Sequence, residues 1–235
     1  GYAILQNKKF ILAADIGSNP DKIYTKDYQA GALSFEIFSN DKKLISNSGY
    51  YPDTKNRLNK LSKSTALQNT LSIEDYSSSD FIKSSNNFFI QKDLKIENKN
   101  IVFEKNYWKI SASHNGYFKK FKLDHHREIE FYPEQFKFIG HDKIVRKDPD
   151  KQIKFDIRFH LHPDSKVMKT QNSKFILIQL EDEGWQFSCD NYDINIDNGL
   201  YFGNKNSYQE NQNIFISGMN NEIEQIIKWE INKIK

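Results

Sequence analysis

The sequence contains a single cysteine, Cys189, among its 235 residues. One thiol cannot form an intrachain disulfide, and a cysteine-based zinc site needs more than one. The composition therefore excludes a disulfide-stabilised scaffold and a zinc-finger type of domain. A buried, unreactive thiol is the default expectation for Cys189.

Long apolar runs and an excess of charge of one sign are also missing. No stretch approaches the roughly eighteen apolar residues that a membrane-spanning helix requires, so no membrane span is predicted. The 34 basic and 31 acidic residues are interspersed and leave a net charge of +3. A nucleic-acid-binding domain normally carries a one-sided basic stripe, so no nucleic-acid partner is predicted.

The sequence also lacks a glycine-rich phosphate loop and a Gly-x-Ser-x-Gly elbow, which argues against nucleotide-dependent enzymes and serine hydrolases.

The most abundant pattern is the alternation of apolar and polar residues. It occurs in 33–38, 174–179 and 192–196, and a short apolar run covers 10–14. Alternation with period two is typical of strands that bury one face, and short turn signals such as Asp-Asn-Gly at 197–199 separate the runs. The sequence therefore predicts an all-β, antiparallel architecture.

Two segments are less regular. Residues 221–235 show isoleucines at helical spacing, but Trp229 between two charged residues also fits alternation, and a final strand is the favoured interpretation. The polar stretch 51–64 is predicted to be a loop that covers a sheet, a location where sites often form. No internal repeat or long linker divides the chain, so residues 1–235 are predicted to be one domain.

Three blocks of sequence follow one another near the N-terminus: residues 29–36 (QAGALSFE), residues 44–49 (LISNSG), and Arg57 with 64–65 and 68–70. In this order they resemble the start of the β-sandwich of heparinase II/III-like polysaccharide lyases. Residues 29–36 are similar to the family's His-x-His-x-Asp-x-Leu-Ser-Phe-Glu pattern. Residues 44–49 resemble its strand ending in Asp-Ser-Gly. Arg57, 64–65 and 68–70 resemble its series of Arg, Ser-Thr and His-Asn-Thr.

The resemblance implies the C-terminal half of a two-part bacterial enzyme. Segments 114–117, 126–127 and 158–163 are similar to one bacterial branch of the family. The implied fold is a large antiparallel β-sandwich, or super-sandwich, whose partner is an N-terminal helical toroid that is not among these residues. Because the chain starts at Gly1 in a strand-like segment, a preceding portion is expected, and the sequence does not distinguish a periplasmic from a cytoplasmic location.

The activity that the resemblance implies is β-elimination of an acidic polysaccharide held in a cleft between the two halves. This reaction requires neutralisation of a uronate carboxylate, removal of the C5 proton and protonation of the leaving oxygen. The sequence departs from the family at each carried-over position. The catalytic histidine falls on Asp27, and the zinc ligands fall on Gln29, Asn47 and Gln68. Neutral amides are weak zinc ligands, so zinc is predicted to be lost and no other cofactor is expected.

The three amides are predicted to form a hydrogen-bonded cluster in place of the metal, and the alternative is three unrelated surface amides. Asp27 would act as a base only if burial raised its pKa, and a solvated strand-end residue is the more ordinary interpretation. Tyr28 and Tyr50 are candidates for stacking on sugars or protonating the leaving oxygen, with aromatic packing as the alternative.

Three further residues are predicted to bind substrate: Arg57, Asn69 and Arg127. The guanidinium groups suit a uronate carboxylate or a sulfate, although Arg57 also fits a surface ion pair and Arg127 a structural role. Asn69 belongs to the His-Asn-Thr block. His160 and His162 point to the same side of a predicted strand, and hydrogen-bonded structural histidines are favoured over metal ligands there.

Two functions of different class remain. One is the sandwich half of a lyase that cleaves acidic polysaccharide. The other is a non-catalytic carbohydrate-binding or structural sandwich that has lost the chemistry. Fold alone does not distinguish them.

Overall fold

The computed structural model describes residues 1–84, 87–90, 94–148, 151–171, 174–203 and 207–235. Eighteen strands and two short helices form in this part of the chain. The strands are β1 Tyr2–Gln6, β2 Phe10–Asp15, β3 Phe35–Ser39, β4 Lys42–Ile45, β5 Leu71–Ile73, β6 Phe81–Ser84, β7 Asn87–Ile90, β8 Ile96–Phe103, β9 Trp108–His114, β10 Leu123–Tyr132, β11 Lys137–Arg146, β12 Ile153–His160, β13 Lys166–Lys169, β14 Phe175–Leu180, β15 Glu183–Cys189, β16 Ile194–Tyr201, β17 Gln209–Asn220 and β18 Glu224–Lys233. The helices are α1 Arg57–Ser62 and α2 Phe118–Phe121, and two 3-10 helices cover Lys22–Asp27 and Thr65–Leu67.

The strands pair in antiparallel order into three main sheets. An eight-stranded sheet runs β13-β14-β15-β18-β11-β10-β9-β8. Two four-stranded sheets run β1-β2-β3-β4 and β16-β17-β12-β5, and β6 pairs with β7. This arrangement confirms the predicted all-β antiparallel fold.

Both four-stranded sheets pack on the same face of the eight-stranded sheet. Phe10 of β2 contacts Phe131 of β10 with ring centroids 4.9 Å apart. Phe35 of β3 stacks on Trp229 of β18 at 5.4 Å, and Phe159 of β12 contacts the same indole edge-on at 4.9 Å. Because each strand points alternate residues inward, these aromatic rings fill the space between the layers and form a β-sandwich core.

The predicted strands are confirmed, and they correspond to β2, β3, β14 and β16, with residues 221–235 forming the last strand, β18. The prediction of a plain loop over 51–64 is wrong, because α1 forms there. Asn56 caps this helix by accepting a hydrogen bond from the amide of Leu58 at 3.0 Å. Within the described residues, no helix combines the length and apolar character needed to cross a membrane.

The predicted turn at 197–199 is also wrong, because these residues lie inside β16. A Cβ atom at Gly199 would lie 2.6 Å from Oδ1 of Asn211 on β17. The Asn211 side chain donates to the carbonyl of Leu161 at 2.8 Å and so occupies the space beside the glycine. Close approach of a neighbouring side chain, and not a turn, explains why glycine stands there.

Candidate functional site

Three irregular segments meet at one end of the first four-stranded sheet, and we call them the site segments: 28–34, 46–51 and 62–70. Backbone bonds join them. The amide of Ala30 donates to the carbonyl of Lys63 at 2.8 Å, and the amide of Ser48 donates to Leu67 at 3.1 Å. The positions that carry the family resemblance near the N-terminus therefore lie in the site segments or in β3 and β4. Asp27 and Arg57 are the two exceptions.

The predicted amide cluster forms in part. Nε2 of Gln68 lies 3.5 Å from Oε1 of Gln29, so these two side chains contact each other directly. Asn47 instead accepts a hydrogen bond from the amide of Asn69 at 2.7 Å and lies 3.4 Å from the hydroxyl of Ser34. The amides of Gln29, Asn47 and Gln68 therefore hold the site segments together through several partners and not through one closed ring.

The donor set does not fit a zinc ion. The side-chain oxygens of Gln29 and Asn47 accept hydrogen bonds from protein N–H groups, and neither amide offers the charge that compensates Zn²⁺. Across the described part of the chain, no group of three His, Cys, Asp or Glu side chains could hold a metal ion. We therefore derive no chemistry through a metal at these positions.

Asp27, Tyr50, Asn59 and Lys63 form a second group, which we call the Lys63 cluster. Nδ2 of Asn59 donates to the Tyr50 hydroxyl at 3.1 Å, and Nζ of Lys63 lies 5.6 Å from the centre of the Tyr50 ring. The Asp27 carboxylate lies close enough to both groups to favour a higher pKa for the Tyr50 phenol and for the Lys63 ammonium. Asp27 is exposed, as expected of a solvated residue and not of a buried base.

The protonation of the Lys63 cluster follows from burial. Burial raises the pKa of the Tyr50 phenol, and the nearby Asp27 charge adds to this effect. Burial lowers the pKa of Lys63 despite the opposing effect of Asp27. Only 1 % of the Lys63 surface is exposed. Nothing in the sequence selects this lysine, because a lysine among polar residues normally indicates a solvated side chain.

The other predicted site residues lie in different surroundings. Arg57 is exposed at the first position of α1, where its guanidinium is accessible. Tyr28 is partly buried, burial raises the pKa of its phenol, and its hydroxyl lies inside the fold near Ser79. This position favours packing for Tyr28 over a role at the surface.

Asn69 and Arg127 are enclosed, which corrects their prediction as substrate contacts. The Asn69 side chain donates to the carbonyl of Phe35 at 2.8 Å and accepts from the amide of His160 at 2.6 Å. Nη1 of Arg127 donates to the carbonyls of Leu33 and Asn69 at 2.9 and 2.5 Å. Both side chains are at most 3 % exposed, so they position the site segments and do not reach a sugar.

Arg127 belongs to a buried charged network. Its Nε and Nη2 donate to the two oxygens of Asp142 at 2.7 and 3.0 Å. Nε1 of Trp229 donates to the same carboxylate at 2.9 Å. Burial alone would raise the pKa of Asp142, but Arg127 and His125 together hold it below its ordinary range. The carboxylate is therefore ionised and fully paired inside the sandwich.

Hydrogen bonding fixes the tautomers of two buried histidines in this network. The amide of Gly116 donates to Nδ1 of His114 at 3.0 Å, so the proton of this ring is on Nε2. That N–H donates to Nδ1 of His125 at 3.2 Å, which leaves the His125 proton on Nε2, where it bonds Asp142 at 2.7 Å. Both imidazoles are neutral, and burial lowers the pKa of His125 accordingly.

His160 is a structural residue that fastens two site segments. Its Nε2–H donates to the carbonyl of Ala66 at 3.0 Å, so its Nδ1 accepts from the hydroxyl of Ser48 at 3.2 Å. The ring is buried, as the hydrogen-bonded interpretation predicted. His162, beyond the end of β12, pairs with Asp164 near the surface.

His160 should make stability depend on pH. Burial lowers its pKa to about 4, whereas an unfolded histidine titrates near 6.5. The unfolded state therefore binds the proton first, and this residue's contribution falls by roughly 3 kcal/mol as the pH drops from 6.5 to 4. We expect His160→Gln to remove this loss of unfolding free energy at low pH. The measurement is the free energy of urea unfolding of both proteins at several pH values.

The difference between the two curves isolates His160, because Asp15, whose pKa burial raises to about 6, contributes equally to both. Parallel curves between pH 6.5 and 4 would contradict the assignment.

Comparisons with known proteins identify the family of this chain. The family model described as "Heparinase II/III-like, C-terminal" matches residues 1–230. FtsZ-localized protein C of Caulobacter vibrioides is 24 % identical over 248 residues, which cover 99 % of this chain and 42 % of that protein. The chain thus spans less than half the length of this curated relative.

Solved structures show the same fold. The heparan sulfate lyase HepC of Pedobacter heparinus superposes with a TM-score of 0.80 at 12 % identity, over 99 % of this chain and 35 % of that one. The heparinase III gene product BT4657 gives a TM-score of 0.78 at 14 % identity, over 100 % and 35 %. At these identities the likeness concerns the fold, and the family follows from the match over nearly the whole sequence. The chain belongs to the heparinase II/III-like C-terminal family.

Proposed function

We propose that this chain is a metal-independent domain that binds acidic polysaccharide and does not itself carry out β-elimination. One observation carries the proposal. The four positions at which the resemblance places the catalytic histidine and the zinc ligands hold Asp27, Gln29, Asn47 and Gln68, and the three amides bond to neighbouring protein groups. Chemistry that needs an imidazole and a metal has no equivalent among them.

Groups suited to acidic sugars remain around the site segments. Arg57 is exposed on α1, and a guanidinium recognises carboxylates and sulfates with two parallel hydrogen bonds. Tyr24 is 64 % exposed on the 3-10 helix Lys22–Asp27, and Tyr50 is partly exposed in the Lys63 cluster. Aromatic faces and cations together are the usual means by which proteins bind charged sugars at a surface.

The name of the Caulobacter relative is consistent with a function other than cleavage. Its name refers to localisation with FtsZ and not to cleavage of a polysaccharide. Because it matches 99 % of this chain, the sandwich of the family occurs in proteins that are not named as lyases.

Isothermal titration of the chain with hyaluronan, heparosan, alginate and polygalacturonate tests the proposal. We expect at least one of these uronic-acid polymers to bind, with an affinity that EDTA leaves unchanged. The natural full-length protein should produce no absorbance from unsaturated sugar with any of them. Absence of binding to all four polymers would refute the proposal.

A second candidate is a lyase that works without metal, in partnership with a helical toroid. The observation that favours it is the Lys63 cluster, where the Tyr50 phenol and the Lys63 amine, whose pKa burial lowers, lie together as candidates for the acid and the base. Elimination that survives EDTA and disappears in Tyr50→Phe would establish this candidate in place of the first.

A further inference from the structure

We propose that the outward face of the eight-stranded sheet binds an uncharged oligosaccharide, between a tyrosine pair, Tyr107 and Tyr132, and a hollow that contains Ser111 and His126. The two smaller sheets pack on the opposite face of this sheet, so the outward face is separate from the site segments. Binding here would be a further function of the chain, independent of the one proposed above.

The alternation along β10 places a row of polar side chains on this face. The odd-numbered residues of β10 are buried in the sandwich, whereas His126, Glu128, Glu130 and Tyr132 point outward and are partly exposed. Glu128 stands opposite His141 of the neighbouring strand β11. From His126 to Tyr132 the strand rises by about 20 Å, at roughly 3.3 Å per residue. The row is therefore long enough for a chain of sugars and not only for one.

One end of the row lies in a hollow of about 410 Å³. Its lining includes Asn98, Ser111, His126, His141, Lys143 and Ile226. The side chains of Ser111, His126 and His141 form no hydrogen bond with any residue that the structure describes. Ile226 is 58 % exposed and adds an apolar contact. A concave surface that combines an apolar wall with a few unpaired polar groups is typical of a ligand site.

The free polar groups of the hollow suit hydroxyl groups. Burial lowers the pKa of His126, and the charge of Lys143 adds to this effect, so the imidazole is neutral at pH 7. A neutral imidazole has one N–H donor and one acceptor nitrogen, and the Ser111 hydroxyl also donates and accepts. Since a sugar hydroxyl likewise donates and accepts, it can pair with both residues without carrying a charge.

The other end of the row carries two aromatic rings in a fixed arrangement. The rings of Tyr107 and Tyr132 lie 5.4 Å apart between centroids. Their hydroxyls donate to the two oxygens of Glu130, at 2.6 and 3.1 Å. Both rings are partly exposed. Because Glu130 already holds them in place, stacking of a sugar on their apolar surface would cost little side-chain entropy.

Charge on this face favours an uncharged sugar. Each of the three lysines on the outward faces of β9, β10 and β11 forms an ion pair, Lys109 with Glu128, Lys137 with Glu230 and Lys143 with Glu224. A uronate or sulfate would have to compete for ammonium groups that are already neutralised, and it would meet their carboxylate partners. A neutral sugar leaves these ion pairs intact.

Isothermal titration of the protein with cello-, xylo-, manno-, malto- and chitopentaose tests the proposal, with tetragalacturonate as the acidic counterpart. At least one uncharged sugar should bind. His126→Ala should weaken its binding about tenfold, and Tyr132→Ala should weaken it about tenfold or more. Tyr132→Phe keeps the ring and should retain most of the affinity. Binding of tetragalacturonate should be the same in all these variants.

Matched controls are His162→Ala, which removes a partly exposed imidazole beyond β12, and Tyr208→Ala, which removes a ring that is 53 % exposed. Circular dichroism and urea unfolding confirm that each variant folds. Failure of all five uncharged sugars to bind would overturn the proposal, as would variants of His126 and Tyr132 that bind like the controls. Loss of tetragalacturonate binding in the same variants would show that this face takes acidic sugars and would overturn the selectivity.

Discussion

Replacing Asp142 by alanine should lower the free energy of unfolding by about 3–5 kcal/mol. The carboxylate pairs with Arg127 through two hydrogen bonds and also accepts from His125 and Trp229, all inside the sandwich. Its removal leaves the Arg127 guanidinium charged, buried and without its counter-ion. Urea unfolding followed by tryptophan fluorescence measures the loss.

A double-mutant cycle separates the unpaired charge from the lost packing. Arg127→Met combined with Asp142→Leu removes both charges and should be far less destabilising than the sum of the two single changes. Asp182→Ala, at an exposed position, serves as the control and should change stability by less than about 0.5 kcal/mol. A loss below about 1 kcal/mol for Asp142→Ala would contradict the role given to this network.

Gly140→Ala should destabilise the sandwich by about 3 kcal/mol. Gly140 on β11 stands opposite Trp229 on β18, and the indole lies across the glycine. An added Cβ would lie 2.0 Å from Cζ2 of the indole, so the ring must move. Displacement would disturb both its bond to Asp142 and its stacking on Phe35.

Thermal and urea unfolding of Gly140→Ala, Trp229→Phe and the double variant test this explanation. The smaller ring should relieve the clash, so the double variant should be more stable than the sum of the single effects predicts. Strict additivity would show that the alanine acts through strand propensity and not through the indole.

The sequence was sufficient to predict most of the sandwich because one face of each strand is buried. In residues 10–14, Phe10, Leu12 and Ala14 face the core at no more than 3 % exposure, with half-buried residues between them. The size of the side chains and their alternation along the chain are enough to predict such strands, without information about distant residues. The helix α1 was missed because it depends on one capping side chain, Asn56, within a polar stretch.

The candidate site was predictable only in part. The amide positions lie on the site segments as the resemblance implied, but two residues expected to bind substrate are enclosed. The alternation along β10 already indicated that Arg127 is buried. Leu123, Ile129 and Phe131 are an even number of residues away from it, so they lie on the same face of the strand, and they are buried. Lys63 could not be selected from the sequence, since its partners Asp27 and Tyr50 are brought to it only by folding.

Anchoring of the site segments by Arg127 affects how this surface can move. The guanidinium ties Leu33 and Asn69 to a carboxylate in the middle of the eight-stranded sheet, so these segments cannot separate from the sheet without breaking its charged centre. Local opening should therefore need nearly the free energy of global unfolding. In hydrogen exchange, the amides of Ala30 and Ser48 should be protected like strand amides, although they lie outside strands. The backbone of the site segments is therefore preformed, and a ligand that binds there does not have to order it.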